Sequence, residues 1–229
     1  MFDQNGTFLF KFGSSGKGNG QFSGPEGVTV DQRHDQIVVA DGNNHRIQIF
    51  DEQGAFLLAF GLNGDGDGQF SYPRGVVVDQ RGNYVVSDSG NHRVQIFNSL
   101  GQFVRKFGSY GKQNGQMDSP WGVGLLSNGN IVVSENHGGR LQNFDPEGNF
   151  VRIVSYRFSF PQELFVDSDD TILVADAETC GIEVFHQNGH CLKTIEHKGS
   201  FLPRGVCMDR EGRIIISEGD DDGHIISIF

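Results

Sequence analysis

The stretch PRGVVVDQRGNYVVSDSGNHRVQIFNSLGQFVRKFG, residues 73–108, decides the fold. It contains four short runs rich in Val, Ile and Phe, and turns built from Gly, Asn, Asp and Ser separate them. Runs of this length between such turns are typical of β-strands joined by tight connections. The stretch therefore predicts one antiparallel sheet of four strands.

The same unit recurs along the whole chain. Its openings are PEGVTVD (25–31), PRGVVVD (73–79), PWGVGLL (120–126), PQELFVD (161–167) and PRGVCMD (203–209). Four short strands repeated about every 41 to 48 residues are typical of a propeller blade. We therefore predict an all-β protein, a single β-propeller domain over residues 1–229. Its blades are expected at about 25–72, 73–119, 120–160, 161–202 and 203–229 plus 1–24.

The fifth unit contains three strand-like runs, and the N-terminus offers a fourth. DQNGTFLFKFG at 3–13 resembles DEQGAFLLAFG at 51–61, which follows the third strand of the first blade. Pairing of this N-terminal strand with the last blade would cover a free sheet edge. We therefore expect five blades closed into a ring by the N-terminal strand.

Composition narrows the range of partners and compartments. The formal net charge is −11, which disfavours nucleic acid and acidic membranes as partners. Three cysteines without a CxxC pair predict neither a disulfide framework nor a zinc site, and we expect Cys180, Cys191 and Cys207 to be packed as small apolar residues. No apolar run is long enough to span a bilayer and the N-terminus lacks the apolar core of a signal peptide, so we expect a cytoplasmic protein without a cofactor.

Several motifs resemble those of the NHL-repeat family. They are GNNHRIQIF (42–50), GNHRVQIF (90–97), the PxGVxVD openings and the link FGSSGKGNGQF (12–22). The family is best known as the C-terminal propeller of tripartite-motif proteins, and the resemblance implies a binding domain like the substrate-recognition domain of a tripartite-motif ubiquitin ligase. Propellers of that group usually have six blades, so a six-bladed parent is an alternative to five.

The link NGDGDGQF (63–70) raises the question of calcium. Asn63, Asp65, Asp67 and Gly68 fit the first half of an EF-hand loop. The twelfth position, which should be a bidentate acid, is Arg74, and the sister links carry lysine where Asp65 stands. We therefore expect no metal, and we expect the glycines to serve turns with positive φ.

The residue after each leading proline is the main candidate for binding. This one position varies among large side chains, while the glycine that follows it recurs in four of the five openings. Since Trp and Arg are enriched in interface hot spots, we predict a partner-binding ring at the top opening of the channel. Its members are Glu26, Arg74, Trp121, Gln162 and Arg204, with Tyr72 and Tyr110 nearby.

Each of the first three blades also has an acid and an arginine five residues apart. Asp41 precedes Arg46, and the later pairs are Asp88 with Arg93 and Glu135 with Arg140. Either these pairs pin the turn between them, or the arginines add to the partner-binding face. Both interpretations stay open from the sequence.

We expect a non-catalytic scaffold that binds a protein partner as a monomeric propeller and does not bind membranes. RNA is the alternative partner, because Trp121 and the arginines could support bases and phosphates. A propeller enzyme of the lyase or lactonase kind is a minor alternative. No nucleophile–base pair is apparent in the sequence, and we predict no catalytic residue and no metal ligand.

Overall fold

The computed structural model describes residues 1, 3, 6–178, 181–196, 202–209, 211–219 and 224–229. Five antiparallel sheets stand in a ring and form a five-bladed β-propeller, which confirms the predicted fold class. Cys180 lies outside the described residues. Among the described residues, no helix is long and apolar enough to cross a membrane.

Each blade begins with its innermost strand. Two short strands, β1 (Ser14–Ser15) and β2 (Gln21–Phe22), lie in the first link. The first two blades comprise β3 (Pro25–Asp31), β4 (Gln36–Asp41), β5 (Arg46–Asp51) and β6 (Phe56–Phe60), then β7 (Pro73–Val78), β8 (Tyr84–Asp88), β9 (Arg93–Phe97) and β10 (Phe103–Phe107). Single-turn 3-10 helices, Gly42–Asn44 and Ser89–Asn91, connect their second and third strands.

The remaining blades follow the same order. The third and fourth comprise β11 (Pro120–Leu125), β12 (Ile131–Glu135), β13 (Arg140–Phe144) and β14 (Phe150–Ser155), then β15 (Pro161–Val166), β16 (Ile172–Asp176), β17 (Gly181–Phe185) and β18 (Cys191–Glu196). The described strands of the fifth blade are β19 (Leu202–Met208), β20 (Ile214–Gly219) and β21 (His224–Ile228).

Apolar clusters join neighbouring blades. Val38 and Ile49 of the first blade pack with Val76 and Phe97 of the second, and comparable clusters connect the second to the third, the third to the fourth and the fourth to the fifth blade. Burial of these side chains supplies the main driving force for association of the sheets.

The side of the ring between the fifth and first blades differs. In the part of the chain that the structure describes, the remaining cluster contains Phe50 of the first blade and Phe12 and Phe22 of the preceding link, with no member from β19–β21. Val28 on β3 is 65% exposed and Ile226 on β21 is 62% exposed. The ring is therefore open on this side.

The N-terminal segment does not supply the predicted fourth strand among the described residues. The amide of Asp3 donates to the carbonyl of Thr7 at 2.9 Å, and the amide of Thr7 donates to the carboxylate of Asp3 at 2.8 Å. Asp51 and Ala55 make the same two bonds in the turn between β5 and β6, at 3.0 and 2.7 Å. The segment therefore repeats the turn that precedes the outer strand of a blade, but among the described residues it does not join the sheet β19–β21.

Candidate binding site at the channel mouth

The residues that follow the leading prolines meet at the top of the channel, the face that carries the glycine-rich links. Arg74 forms an ion pair with Glu26 on the neighbouring blade. Its guanidinium carbon also lies 4.2 Å from the centre of the Trp121 ring, within the range of a cation–π contact. Three successive blades thus contribute one continuous row of side chains.

The charge of Arg204 connects the fifth blade to this row. Burial raises the pKa of Glu26, and the positive charges of Arg74 and Arg204 oppose that rise. Gln162 and Arg204 line the same cavity as Glu26 and Trp121. The structure therefore brings together all five residues predicted from the position after the proline, and we name them the mouth ring: Glu26, Arg74, Trp121, Gln162 and Arg204.

Below the mouth ring is a cavity of about 650 Å³. Its wall is mainly aliphatic, with Val76, Val123 and Val206 among the side chains of the inner strands. It extends to Val30 and Ile226, which are on the two sides of the opening between the first and fifth blades. The cavity is apolar in its body and polar at its upper end.

Glu163 is a cavity residue that the sequence prediction missed. It lines the cavity from β15, directly after Gln162. Burial raises its pKa to about 8; the backbone amide of Leu164 opposes the shift, and the charge of Glu26 adds to it. The signal in the sequence was PQELFVD, in which a glutamate replaces the glycine of the other four openings.

The arginines of the acid–arginine pairs serve the fold. Arg93 donates to the carboxylate of Asp88 at 2.7 Å, and its remaining nitrogens donate to the carbonyls of Asp65, Gly66 and Gln69. This confirms that the pair pins the turn. It adds a role that the sequence did not predict, because the same guanidinium also holds the NGDGDGQF link.

The same arrangement is present in the first and third blades. Arg46 bonds to Asp41 and to link carbonyls, and Arg140 bonds to Glu135 and to link carbonyls. Arg93 and Arg140 are buried. These three arginines, for which a place on the partner-binding face was the alternative, are not brought together with the mouth ring, because their donors are already used inside the protein.

The two tyrosines of the predicted set pair with histidines of the top turns. The Tyr72 ring lies 4.8 Å from the ring of His45, and the Tyr110 ring lies 4.7 Å from that of His92. Both tyrosines keep a large exposed surface, 46% and 66%. His45 accepts a hydrogen bond from the Tyr72 amide and His92 from the Ser119 amide, so these histidines pin turns.

The polar groups at the lower end of the inner strands are also satisfied locally. The carboxylates of Asp79, Asp167 and Asp209 accept backbone amides of their own following turns. Among the described residues, no group of three or more His, Cys, Asp or Glu side chains is arranged to hold a metal ion. Asp67 of the NGDGDGQF link pairs with Lys106 at 2.7 Å.

Cys207 corrects one expectation. We expected a packed thiol, but Cys207 is exposed and lines the cavity, because it lies on the channel-facing side of β19. Burial of the sulfur region and the charge of Asp209 raise the pKa of its thiol. At neutral pH the thiol is therefore protonated, the form that is not nucleophilic.

Comparison with known sequences identifies a repeat. The NHL repeat model matches residues 22–50 and 70–97. Protein brain tumor of Drosophila melanogaster is 59% identical over 39 residues, which are 17% of this chain and 4% of that protein. The match thus spans a small part of the relative's length.

Solved structures with the same fold share little sequence. A streptogramin B lyase superposes with a TM-score of 0.68 at 16% identity, over 91% of this chain and 69% of that chain. A putative gluconolactonase gives 0.70 at 15% identity, over 96% of this chain and 79% of its own. A chain of a nidogen/laminin complex gives 0.72 at 17% identity, over 88% and 74%. These similarities establish the propeller fold alone.

Proposed function

Because the chain is a five-bladed propeller that contains NHL repeats, we propose that it is a non-catalytic, cytoplasmic scaffold that recruits a protein partner at the mouth ring. The observation that carries this proposal is the continuous row Glu26–Arg74–Trp121 across three blades. In this role it would act as the substrate-recognition domain of a tripartite-motif ubiquitin ligase does.

The chemistry of the ring supports a protein partner. A tryptophan stacked with an arginine at the rim of a cavity presents a large, pre-organised contact area, and such residues dominate the binding energy of protein interfaces. Its two arginines stand beside the carboxylate of Glu26 at the rim, so the mouth lacks the large excess of positive charge that phosphate binding requires.

The absence of catalysis in this proposal rests on the cavity side chains. The thiol of Cys207 has a raised pKa, and Glu163 has a raised pKa as well, so both are protonated at neutral pH. No histidine is among the described residues that line the cavity, so a base that could activate a nucleophile is lacking there.

The test is affinity capture from a cell extract with three forms of the chain. We expect a Trp121→Ala, Arg204→Ala double variant to lose at least one protein that the unaltered chain captures. Leu100→Ala is the matched control, since Leu100 is 69% exposed in the bottom turn between β9 and β10. If the double variant retains every captured protein while its thermal unfolding is unchanged, the mouth ring is not the interface.

RNA remains the second candidate, favoured by the exposed rings of Tyr72 and Tyr110. Exposed aromatic side chains can stack with unpaired bases. Titration with mixed single-stranded RNA at low and moderate salt separates the two proposals. Binding that weakens steeply with salt would favour RNA, and no binding at about 100 mM salt would remove it.

A further inference from the structure

Glu163 occupies a position where the propeller otherwise uses glycine. In the first three blades a side-chain carbon added to Gly27, Gly75 or Gly122 would come within 2.5 to 2.7 Å of a backbone carbonyl oxygen of the next blade. The close approach of the inner strands therefore favours glycine at this position. A glutamate in the fourth blade is not explained by the packing of the repeat.

The carboxyl group of Glu163 lies in mainly apolar surroundings. It lines a cavity whose body is made of valine side chains, and among the described residues no ion pair involves it. Burial dominates its electrostatics, and the single favourable bond comes from the Leu164 amide. A carboxylate in such a place is costly unless a cation meets it.

We propose that the cavity receives a lysine side chain of the protein partner, with its ammonium group against the carboxyl of Glu163. This inference rests on the proposed function, because the side chain enters through the mouth ring. A lysine has a compact ammonium at the end of a four-carbon stem, which suits an apolar wall with one acid near its upper end.

The charge that acts directly on Glu163 is that of Glu26 on β3, and Glu26 in turn faces Arg74 on β7 and Arg204 on β19. Arg74 is engaged by Glu26 and by the Trp121 ring, so its charge is held at the rim. Glu26 already has these two cations. Glu163 is thus the acid whose carboxylate form an incoming ammonium would stabilise.

Proton linkage gives a direct measurement. Because the pKa of Glu163 is about 8, the group is mostly protonated at neutral pH, and a cation binds its deprotonated form more tightly than its protonated form. A bound ammonium must therefore lower the titration midpoint of Glu163. The shift is about one pH unit for each tenfold by which the ammonium prefers the carboxylate over the carboxylic acid. The carboxyl carbon of Glu163 can be followed by NMR in the full chain labelled with 13C-glutamate.

The probe is n-butylammonium, the lysine head group with its stem, and it stays charged because such groups titrate near about 10.4. We expect it to lower the Glu163 midpoint by about one unit or more, whereas n-butanol and an equal concentration of sodium chloride leave the midpoint unchanged. The Glu163→Gln variant assigns the signal. The Glu163→Gly variant restores the residue of the other blades, so it folds and it should lose the binding of the probe.

An unchanged midpoint, or an equal shift with sodium chloride, overturns the inference. An ordinary midpoint near about 4.3 in the free chain also overturns it. The result is independent of the capture experiment. A midpoint lowered by n-butylammonium together with full capture by the Trp121→Ala, Arg204→Ala variant would keep the cation site and reject the interface.

Discussion

Arg93 connects parts of the chain that are far apart in sequence. One guanidinium group bonds to Asp88 in its own blade and to three carbonyls in the preceding link. Burial raises the pKa of Asp88, and the bonds from the Ser71 amide, Asn91 and Arg93 oppose that rise. The arginine therefore favours the charged form of a buried acid while it satisfies backbone carbonyls.

We predict that Arg93→Ala lowers the free energy of unfolding by about 3–5 kcal/mol, because it leaves the Asp88 carboxylate buried without its cation. Urea unfolding measures the change. Arg81→Ala is the control, because Arg81 is exposed on a bottom turn and its removal should cost about 0.5 kcal/mol or less. Equal losses in the two variants would show that the buried pair has no special contribution.

At the scale of the element, the link NGDGDGQF and its flanking residues connect the outer strand of the first blade to the inner strand of the second. Gly61 has φ of +94° and Gly68 has φ of +78°, so both glycines adopt a backbone that other residues disfavour. The two glycines differ in how much room a side chain would have. A side-chain carbon at Gly61 would lie 2.4 Å from the ring of Phe70, while at Gly68 the nearest atom would be 3.8 Å away.

The pair Gly61→Ala and Gly68→Ala therefore separates backbone strain from crowding. We predict that both lose about 1 kcal/mol through positive φ, and that Gly61→Ala loses at least about 1 kcal/mol more because Phe70 is fully buried and cannot move freely. Chemical denaturation of the two variants provides the comparison. A larger loss for Gly68→Ala would contradict this account of the link.

The repeat made the blades predictable, because turn residues and apolar runs recur in register from Pro25 to Pro203. The mouth ring was predictable for the same reason, since one variable position lies between a constant proline and a glycine that recurs in four of the five openings. The destination of Arg46, Arg93 and Arg140 was not, because bonds to carbonyls of a link leave no trace in residue type. Glu163 was visible as a departure from the repeat, but its consequence depends on the cavity that five strands enclose.

The N-terminal segment shows a second limit of sequence reasoning. The similarity of 3–13 to 51–61 identified a turn, which Asp3 and Thr7 form, but the outer strand that it predicted is not in the sheet of the fifth blade among the described residues. Similarity between segments predicts a turn, but only the three-dimensional structure shows which sheet edge the following residues join.

At the scale of the molecule, the opening between the fifth and first blades separates two kinds of isoleucine in the same sheet. Ile216 is 1% exposed and packs in the cluster between the fourth and fifth blades, whereas Ile226 is 62% exposed on the open side. The two side chains lie on neighbouring strands, β20 and β21. Their environments make them a matched pair.

We predict that Ile216→Asp costs about 4 kcal/mol or more, because it buries an unpaired acid. Ile226→Asp should cost about 1 kcal/mol or less, since the new carboxylate remains in water. Thermal unfolding followed by circular dichroism compares the two. If Ile226→Asp is as damaging as Ile216→Asp, the first and fifth blades are packed against each other in solution.

The bonds from Arg93 to the link before its blade have a consequence for how the molecule opens. Along the chain each blade runs from its inner strand outward. The hydrogen bonds of Arg93, however, connect the preceding link to the second and third strands of its blade. A local opening of β8 and β9 would release the link with them, while the outer strand of the preceding blade could stay in place. In the first three blades the cooperative unit is therefore offset from the visible blade, and its boundary falls at the glycine that begins the preceding link.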